Sequence, residues 1–119
     1  MKRGIEIKHV DAKRHVRMLL EELSDRLEDK LRHFPKDAVS LHVLFEENGS
    51  RKLYHTSVTC HLPHHTVAAD QEAREAGVSI RKTFAEIQRQ LEKQKANVRH
   101  ERLVRRLRRA SPKMAPDTD

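Results

Sequence analysis

Hydrophobic and polar positions alternate at the start of the chain. Ile5 and Ile7 alternate with Glu6 and Lys8, which is the period of a strand that has one face on a core. The alternation stops before Asp11, whose carboxylate can cap a helix by accepting a backbone N–H of the first turn. The pattern therefore predicts a short strand followed directly by a helix.

The next segment has the period of a helix. Its apolar residues recur at spacings of three and four and form one stripe, which consists of Val16, Leu19, Leu20, Leu23, Leu27 and Leu31. The stripe predicts a helix from about Ala12 to Arg32 whose other, charged face is in solvent. We expect this helix to end at Phe34, because the residue before a proline is disfavoured in the helical region.

Three further strands are predicted after Pro35. Residues 39 to 45 alternate, and Asn48-Gly49 is a hairpin signal because both residues tolerate the positive φ that tight turns require. The returning strand should place one row on the core and a mostly polar row outside; the inner row is Tyr54, Thr56, Val58, Cys60 and Leu62, and the outer row is Leu53, His55, Ser57, Thr59 and His61. A shorter strand is predicted from His65 to Ala69.

A long helix is predicted from about Glu72. Its apolar stripe consists of Ala76, Ile80, Phe84, Ile87, Leu91 and Val98. Gly77 weakens the first turns, because glycine costs about 1 kcal/mol relative to alanine inside a helix. Leu103 and Leu107 allow the helix to continue as a basic extension that Ser111-Pro112 should stop, and the residues from Pro112 onward are expected to be disordered.

The order strand, helix, three strands, helix predicts an α+β fold. Both helices would bury their stripes on one face of a four-stranded, mainly antiparallel sheet, which gives a two-layer βαβββα sandwich. A chain of 119 residues has room for one modest core. We expect one domain over residues 1–100, followed by a basic helical extension and disordered tail over residues 101–119.

The net charge of +7 is concentrated near the end of the chain. Residues 1–94 hold 17 Lys and Arg against 15 Asp and Glu, whereas residues 95–119 hold eight against three. A basic stretch of this kind indicates a polyanionic partner, such as nucleic acid or an anionic membrane surface, or else a solvated tail with no partner. Because there is neither a membrane-spanning run nor a signal peptide, we expect a cytoplasmic protein with no membrane partner.

The chain resembles the hibernation-promoting factors and ribosome-associated translation inhibitors, a family once called sigma-54 modulation proteins. The resemblance covers about residues 4 to 100 and rests on the order of the elements and on four segments at matching spacing. These are Gly4-Ile5-Glu6-Ile7-Lys8-His9-Val10, Leu31-Arg32-His33-Phe34, Thr56-Ser57-Val58-Thr59-Cys60-His61-Leu62-Pro63 and Ile87-Gln88-Arg89-Gln90-Leu91-Glu92-Lys93-Gln94-Lys95.

The resemblance implies a domain with the layout of double-stranded-RNA-binding domains. Members of the short form of this family bind small-subunit rRNA in the channel for messenger and transfer RNA. They inhibit translation or protect idle ribosomes by steric occupancy during stress, without catalysis or a cofactor. The dimerisation domain of the long form has no counterpart here, so we expect a monomer away from the ribosome. The first helix is about one turn longer than is usual, and the start of the last helix, Glu75 to Ile80, lacks the family's aromatic residue.

Three groups of basic residues are candidates for RNA contact. On a helical wheel Arg81, Lys82, Arg89 and Lys93 share one flank of the last helix, which also carries Lys95 and Arg99. The second group is at the start of the first helix: Lys13, Arg14 and Arg17. The third and densest group is Arg102, Arg105, Arg106, Arg108 and Arg109, whose guanidinium groups suit bidentate phosphate contact. The alternative for all three groups is a solvated surface or tail.

Other functions fit the sequence less well. A protein-interaction module that regulates a stress or transcription factor through the polar sheet face is one alternative, and a generic binder of duplex RNA is another. Cys60 with His61, His64 and His65 fits no standard zinc spacing, so no metal is expected. Cys60 has no assured base and the three glycines are too scattered for a phosphate loop, so we expect neither an enzyme nor a small-molecule substrate.

Overall fold

The computed structural model describes residues 1–8, 13–49 and 52–110, with the side chains of residues 13, 97–99, 101 and 108–110 outside that description. The elements in chain order are strand β1 (Lys2–Lys8), helix α1 (Lys13–Lys30), strands β2 (Ser40–Asn48), β3 (Leu53–His61) and β4 (Thr66–Ala73), and helix α2 (Ala76–Ala110). A short 3₁₀ helix, Lys36–Ala38, precedes β2. This order confirms the predicted α+β fold.

The four strands form one mixed sheet in the order β1-β2-β3-β4. The pair β1 and β2 is parallel, and the other two pairs are antiparallel. A row of apolar residues crosses all four strands through direct register partners, which are Ile5, Val43, Val58 and Ala69. This row belongs to the face of the sheet that faces the core, because Val43 and Val58 are fully or almost fully buried.

The apolar stripe of α1 faces the core as predicted. Four of its six residues are buried and two are half-buried; the buried ones are Val16, Leu20, Leu27 and Leu31. On α2, Ile80, Phe84 and Ile87 are buried, and Ala76 is half-buried. Helix α2 contacts β3 through the hydroxyls of Ser79 and Thr56, and in the inner row of β3 the residues Thr56, Val58 and Cys60 have no exposed surface.

Three predicted boundaries are wrong. Helix α1 ends at Lys30, and Leu31 and Phe34 continue as tight turns in which the Phe34 N–H donates to the Leu31 carbonyl at 3.0 Å. The last strand is longer than predicted and α2 begins later, because Glu72 and Ala73 pair with residues of β3 and are not helical. Among the described residues of the β2–β3 connection, Lys52 has a positive φ of 52° and Gly49 does not. The predicted cap Asp11 and the segment from Ser111 to Asp119 lie outside the described residues.

Both helices start at the same end of the sheet. Strands β1 and β4 run in the same direction, and each is followed by a helix. Arg3, near the beginning of β1, forms salt bridges with Asp25 and Glu28 in the second half of α1, so α1 runs antiparallel to β1. The first turns of α1 and α2 therefore lie at the end of the sheet where β1 and β4 finish.

The chain divides into two compact units, Met1–Gln88 and a second that begins at Arg89. Helix α2 starts in the first unit and continues in the second. The domain boundary that the sequence suggests near residue 100 stays a prediction. No helix among the described residues is both long enough and apolar enough to cross a membrane.

Candidate nucleic-acid interface

The start of α1 exposes two arginines. Arg14 and Arg17 are exposed on either side of the buried Val16, and Met18 keeps 64% of its surface in solvent. Arg14 and Arg17 are three residues apart and therefore share the outer face of the helix, whereas Val16, two residues after Arg14, lies on the inner face. Lys13, the third basic residue predicted here, begins the helix, but its side chain is outside the described part of the structure.

The remainder of α1 is not a basic surface. Its outer face carries exposed carboxylates, namely Glu21, Glu22, Asp25 and Asp29. Arg26 is paired with Glu22, one turn earlier, at 2.7 Å. Arg3 of β1 is bound by Asp25 at 2.6 Å and Glu28 at 3.1 Å. These pairs neutralise Arg26 and Arg3, whereas Arg14 and Arg17 at the start of α1 form no salt bridge with any residue that the structure describes.

The first two turns of α2 expose a second pair of basic side chains. Arg81 and Lys82 are exposed, whereas their neighbours Ile80 and Thr83 have no exposed surface. The guanidinium of Arg81 lies over Gly77: a Cβ atom added to that glycine would be 2.8 Å from the Arg81 Nη1. The glycine that weakens the helix thus leaves room for the guanidinium.

Together these residues form a basic surface at one end of the first unit. Arg14, Arg17, Arg81 and Lys82 make no salt bridge with any residue that the structure describes. The strands that precede the two helices, β1 and β4, are three strand spacings apart, which is about 14 Å. Arg74, in the connection from β4 to α2, is also exposed at this end. We call Arg14, Arg17, Arg74, Arg81 and Lys82 the helix-start surface.

Arg74 was not among the residues predicted from sequence. It is a single arginine beside the exposed Glu75 and belongs to no basic run or helical stripe. Its place on the helix-start surface follows from the direction of β4, which brings the connection to the same end as Arg14 and Arg17. The sequence offered no signal for that direction.

The other predicted basic residues belong to the second unit. Arg89, Lys93, Lys95, Arg102, Arg105 and Arg106 are exposed there. Arg99, Arg108 and Arg109 lie in the helix, but their side chains are outside the described residues. The flank that the helical wheel assigns jointly to Arg81, Lys82, Arg89 and Lys93 crosses from one unit to the other and stays a prediction.

The aromatic side chains do not offer a stacking platform. The chain has three phenylalanines and one tyrosine. Phe45 and Phe84 are buried, Tyr54 stacks on Phe45 with ring centroids 5.9 Å apart, and Phe34 packs beside His33. Proteins that read single-stranded bases stack them on exposed aromatic rings, so this surface suits the phosphate backbone better than the bases.

The outer face of the sheet is polar, as predicted. His55 contacts Asp70, and its Nδ1 is 3.6 Å from Glu46, which ties β2, β3 and β4 together. His42 packs edge-on against His61, whose Nδ1 is 3.1 Å from the Thr66 hydroxyl. A shallow depression of about 320 Å³ on this face is lined in part by Gly4, His42 and Ser57.

The residues that suggested metal or covalent chemistry are not arranged for it. Within residues 1–8, 13–49 and 52–110, no group of three His, Cys, Asp or Glu side chains is placed to share a metal ion. Cys60 has no exposed surface, and burial raises the pKa of its thiol to about 11. At neutral pH it is therefore a protonated, inert core residue.

Comparison with known proteins agrees with the resemblance found in the sequence. Residues 4–99 match the family described as sigma 54 modulation protein / S30EA ribosomal protein. No curated protein sequence matches the chain closely enough to count as a relative.

Two solved structures share the fold. A ribosomal subunit interface protein from Coxiella burnetii is 21% identical with a TM-score of 0.61, over 81% of this chain and 99% of that one. The N-terminal domain of Protein Y from Thermus thermophilus is 15% identical with a TM-score of 0.63, over 78% of this chain and 98% of that one. Since the family match extends over most of the described residues, the chain belongs to the sigma 54 modulation protein / S30EA ribosomal protein family.

Proposed function

We propose that this protein binds rRNA of the small ribosomal subunit and prevents translation, or protects idle ribosomes, by occupying the channel for transfer and messenger RNA. Family membership supports a ribosome-associated, non-enzymatic role. One protein of the same fold is named a ribosomal subunit interface protein. A role on ribosomes implies a cytoplasmic protein.

The observation that carries this proposal is the contrast between two sets of arginines. Arg3 and Arg26 are neutralised by carboxylates, whereas Arg14, Arg17 and Arg81 are exposed without a salt bridge among the described residues. Basic side chains without carboxylate partners can bind phosphates at no cost in broken ion pairs. The helix-start surface is therefore suited to the phosphates of an RNA backbone.

The proposed mechanism is steric. Each phosphate that a Lys or Arg neutralises releases counterions, and five such contacts would give a slope of about −4 in a plot of log affinity against log salt. Arg89, Lys93, Lys95 and Arg99 are proposed to add contacts from the second unit. The protein itself has no bond to make or break; a domain seated in the channel excludes the RNAs that translation requires.

Charge reversal tests the assigned surface. The double variant Arg81→Glu/Lys82→Glu should lose binding to purified small subunits in a pelleting assay while keeping its circular dichroism spectrum. The matched control is Arg26→Glu/Arg32→Glu, which changes the net charge equally but alters α1 and the turn after it, away from the helix-start surface. Equal binding by both variants would reject the assigned surface.

A competition experiment and a salt titration separate this function from its two alternatives. A generic duplex-RNA binder would be displaced from small subunits by an equal concentration of free duplex RNA, and a ribosome-specific factor would not. A module that docks on a protein through the polar sheet face would bind its partner with less dependence on salt, since it does not release the counterions that surround a nucleic-acid backbone.

A further inference from the structure

Helix α2 continues past the part of the chain that matches the family. The family match ends at residue 99, whereas α2 continues to Ala110. Eleven residues correspond to about 16 Å of helix at 1.5 Å per residue. This segment, residues 100–110, which we call the helical extension, is therefore a feature of this chain beyond the family domain.

The helical extension has two different faces. At 100° per residue, Arg102, Arg105 and Arg106 fall within one sector of about 100°, and all three are exposed. Leu103 and Leu107 lie on another side, with 52% and 59% of their surfaces exposed. Because residues three and four apart are neighbours on a helix, Arg102 stands beside both Arg105 and Arg106.

The chemistry of the arginine face indicates its ligand. Residues 100–110 contain five arginines, one glutamate and no lysine. Guanidinium forks bind phosphate oxygens in pairs, which a lysine ammonium does not do. From Arg89 to Ala110 there is no Phe, Tyr or Trp, so the segment has no aromatic ring on which to stack unpaired bases. The arrangement fits the phosphate backbone of an RNA helix.

We propose that Arg102, Arg105 and Arg106 form a second RNA-binding site, which holds the phosphates of an RNA helix without sequence preference. The proposal rests on the proposed function in taking ribosomal RNA as the natural target, but the site itself requires only an RNA helix. Joined to the helix-start surface in one chain, such a site raises the overall affinity because the second binding event is intramolecular.

Two other occupants fit the helical extension poorly. A second copy of the chain would pair Leu103 and Leu107 with their counterparts, but two leucines supply a small part of the roughly 1,200 Å² that a stable interface buries. An anionic membrane would need a wider apolar face than Leu103, Leu107 and the half-buried Val104 provide.

The test compares two variants of the full chain, one with three arginines replaced and one with two leucines replaced. The probe is a fluorescently labelled RNA hairpin with a stem of arbitrary sequence. The variant Arg102→Gln/Arg105→Gln/Arg106→Gln should bind the probe at least about tenfold more weakly at low salt, and its log–log salt slope should be shallower by about 2 to 3. The control variant Leu103→Ser/Leu107→Ser should bind within about twofold of the original chain.

The proposal is overturned if the arginine variant binds the probe as the original chain does. It is equally overturned if the leucine variant loses as much RNA affinity, or if the chain binds vesicles of anionic phospholipid through its leucines and leaves the RNA unbound. Repeating the measurement with Arg81→Glu/Lys82→Glu separates the two proposals. If the chain binds the hairpin through Arg102, Arg105 and Arg106 but does not bind ribosomes, the second RNA-binding site is supported and the proposed function is rejected. If the arginine variant binds ribosomes as the original chain does, the proposed function is supported and the second site is rejected.

Discussion

The hydroxyl of Thr56 on β3 lies 2.7 Å from the hydroxyl of Ser79 on α2, and neither side chain has any exposed surface. Ser79 donates its one hydroxyl hydrogen to the carbonyl of Gln71 on β4 at 3.0 Å, so Thr56 must be the donor to Ser79. One turn further along α2, the Thr83 hydroxyl is 3.4 Å from the Thr56 carbonyl on β3, and it also donates to the Ser79 carbonyl within the helix at 2.7 Å. This chain of hydrogen bonds fixes the first turns of α2 on the sheet and thereby positions Arg81 and Lys82.

Replacing Ser79 by alanine should destabilise the fold. The change removes the acceptor of the Thr56 hydroxyl and a donor to the Gln71 carbonyl in a fully buried site, which costs about 1–3 kcal/mol in the free energy of unfolding. Urea denaturation followed by circular dichroism measures it. The control is Ser57→Ala on the outer side of β3, where we expect a change within about 0.5 kcal/mol. A Ser79 variant as stable as its Ser57 control would contradict the structural role of this hydrogen-bond chain.

Replacing Gly77 by alanine should stabilise the protein. Alanine gains up to about 1 kcal/mol over glycine in a helix, and the new methyl group meets only the mobile end of the Arg81 side chain. In an Arg81→Ala background the gain should be larger by a few tenths of a kcal/mol, because no guanidinium has to move. Thermal unfolding of the four proteins of this cycle provides the comparison. A loss of stability in both backgrounds would show that Gly77 is required for a reason other than space for Arg81.

Cys60 should be unreactive in the folded protein. Its thiol is fully buried between Leu41 and Val67 of the neighbouring strands, and its pKa is raised to about 11. The thiolate, which is the reactive form, is therefore scarce at mildly alkaline pH. Titration with a thiol reagent should give no rapid reaction under native conditions and complete reaction in concentrated guanidinium. Rapid native labelling would mean that β3 opens easily or that this thiol is not in the core.

Periodicity was sufficient to predict most of the fold from sequence. The stripe from Val16 to Leu31 and the alternation through Thr56, Val58 and Cys60 are buried as expected, because burial of one face is what selects such patterns. The layer formed by Ser79 and Thr83 was missed, since hydroxyl side chains do not register as core in a hydropathy pattern. Their burial depends on hydrogen-bond partners on β3 and β4, which only the tertiary structure brings to this helix.

The candidate site was predicted less completely, for a similar reason. The sequence identified Arg14, Arg17, Arg81 and Lys82, which lie on the starts of two helices at the same end of the sheet. It did not distinguish these from arginines such as Arg26, because a pairing with Glu22 depends on side-chain geometry. Nor did it find Arg74, whose position depends on how β4 enters α2.

The measurement that tests the central claim most directly is sedimentation of the protein with purified ribosomal subunits through sucrose gradients. It should be made at about 50 mM and about 200 mM salt, a range over which phosphate-dominated binding weakens strongly. We expect the protein to migrate with the small subunit at low salt and to leave it progressively as salt increases. Absence from the ribosomal fractions at low salt, or binding that does not respond to salt, would contradict the proposal that basic side chains hold this protein on ribosomal RNA.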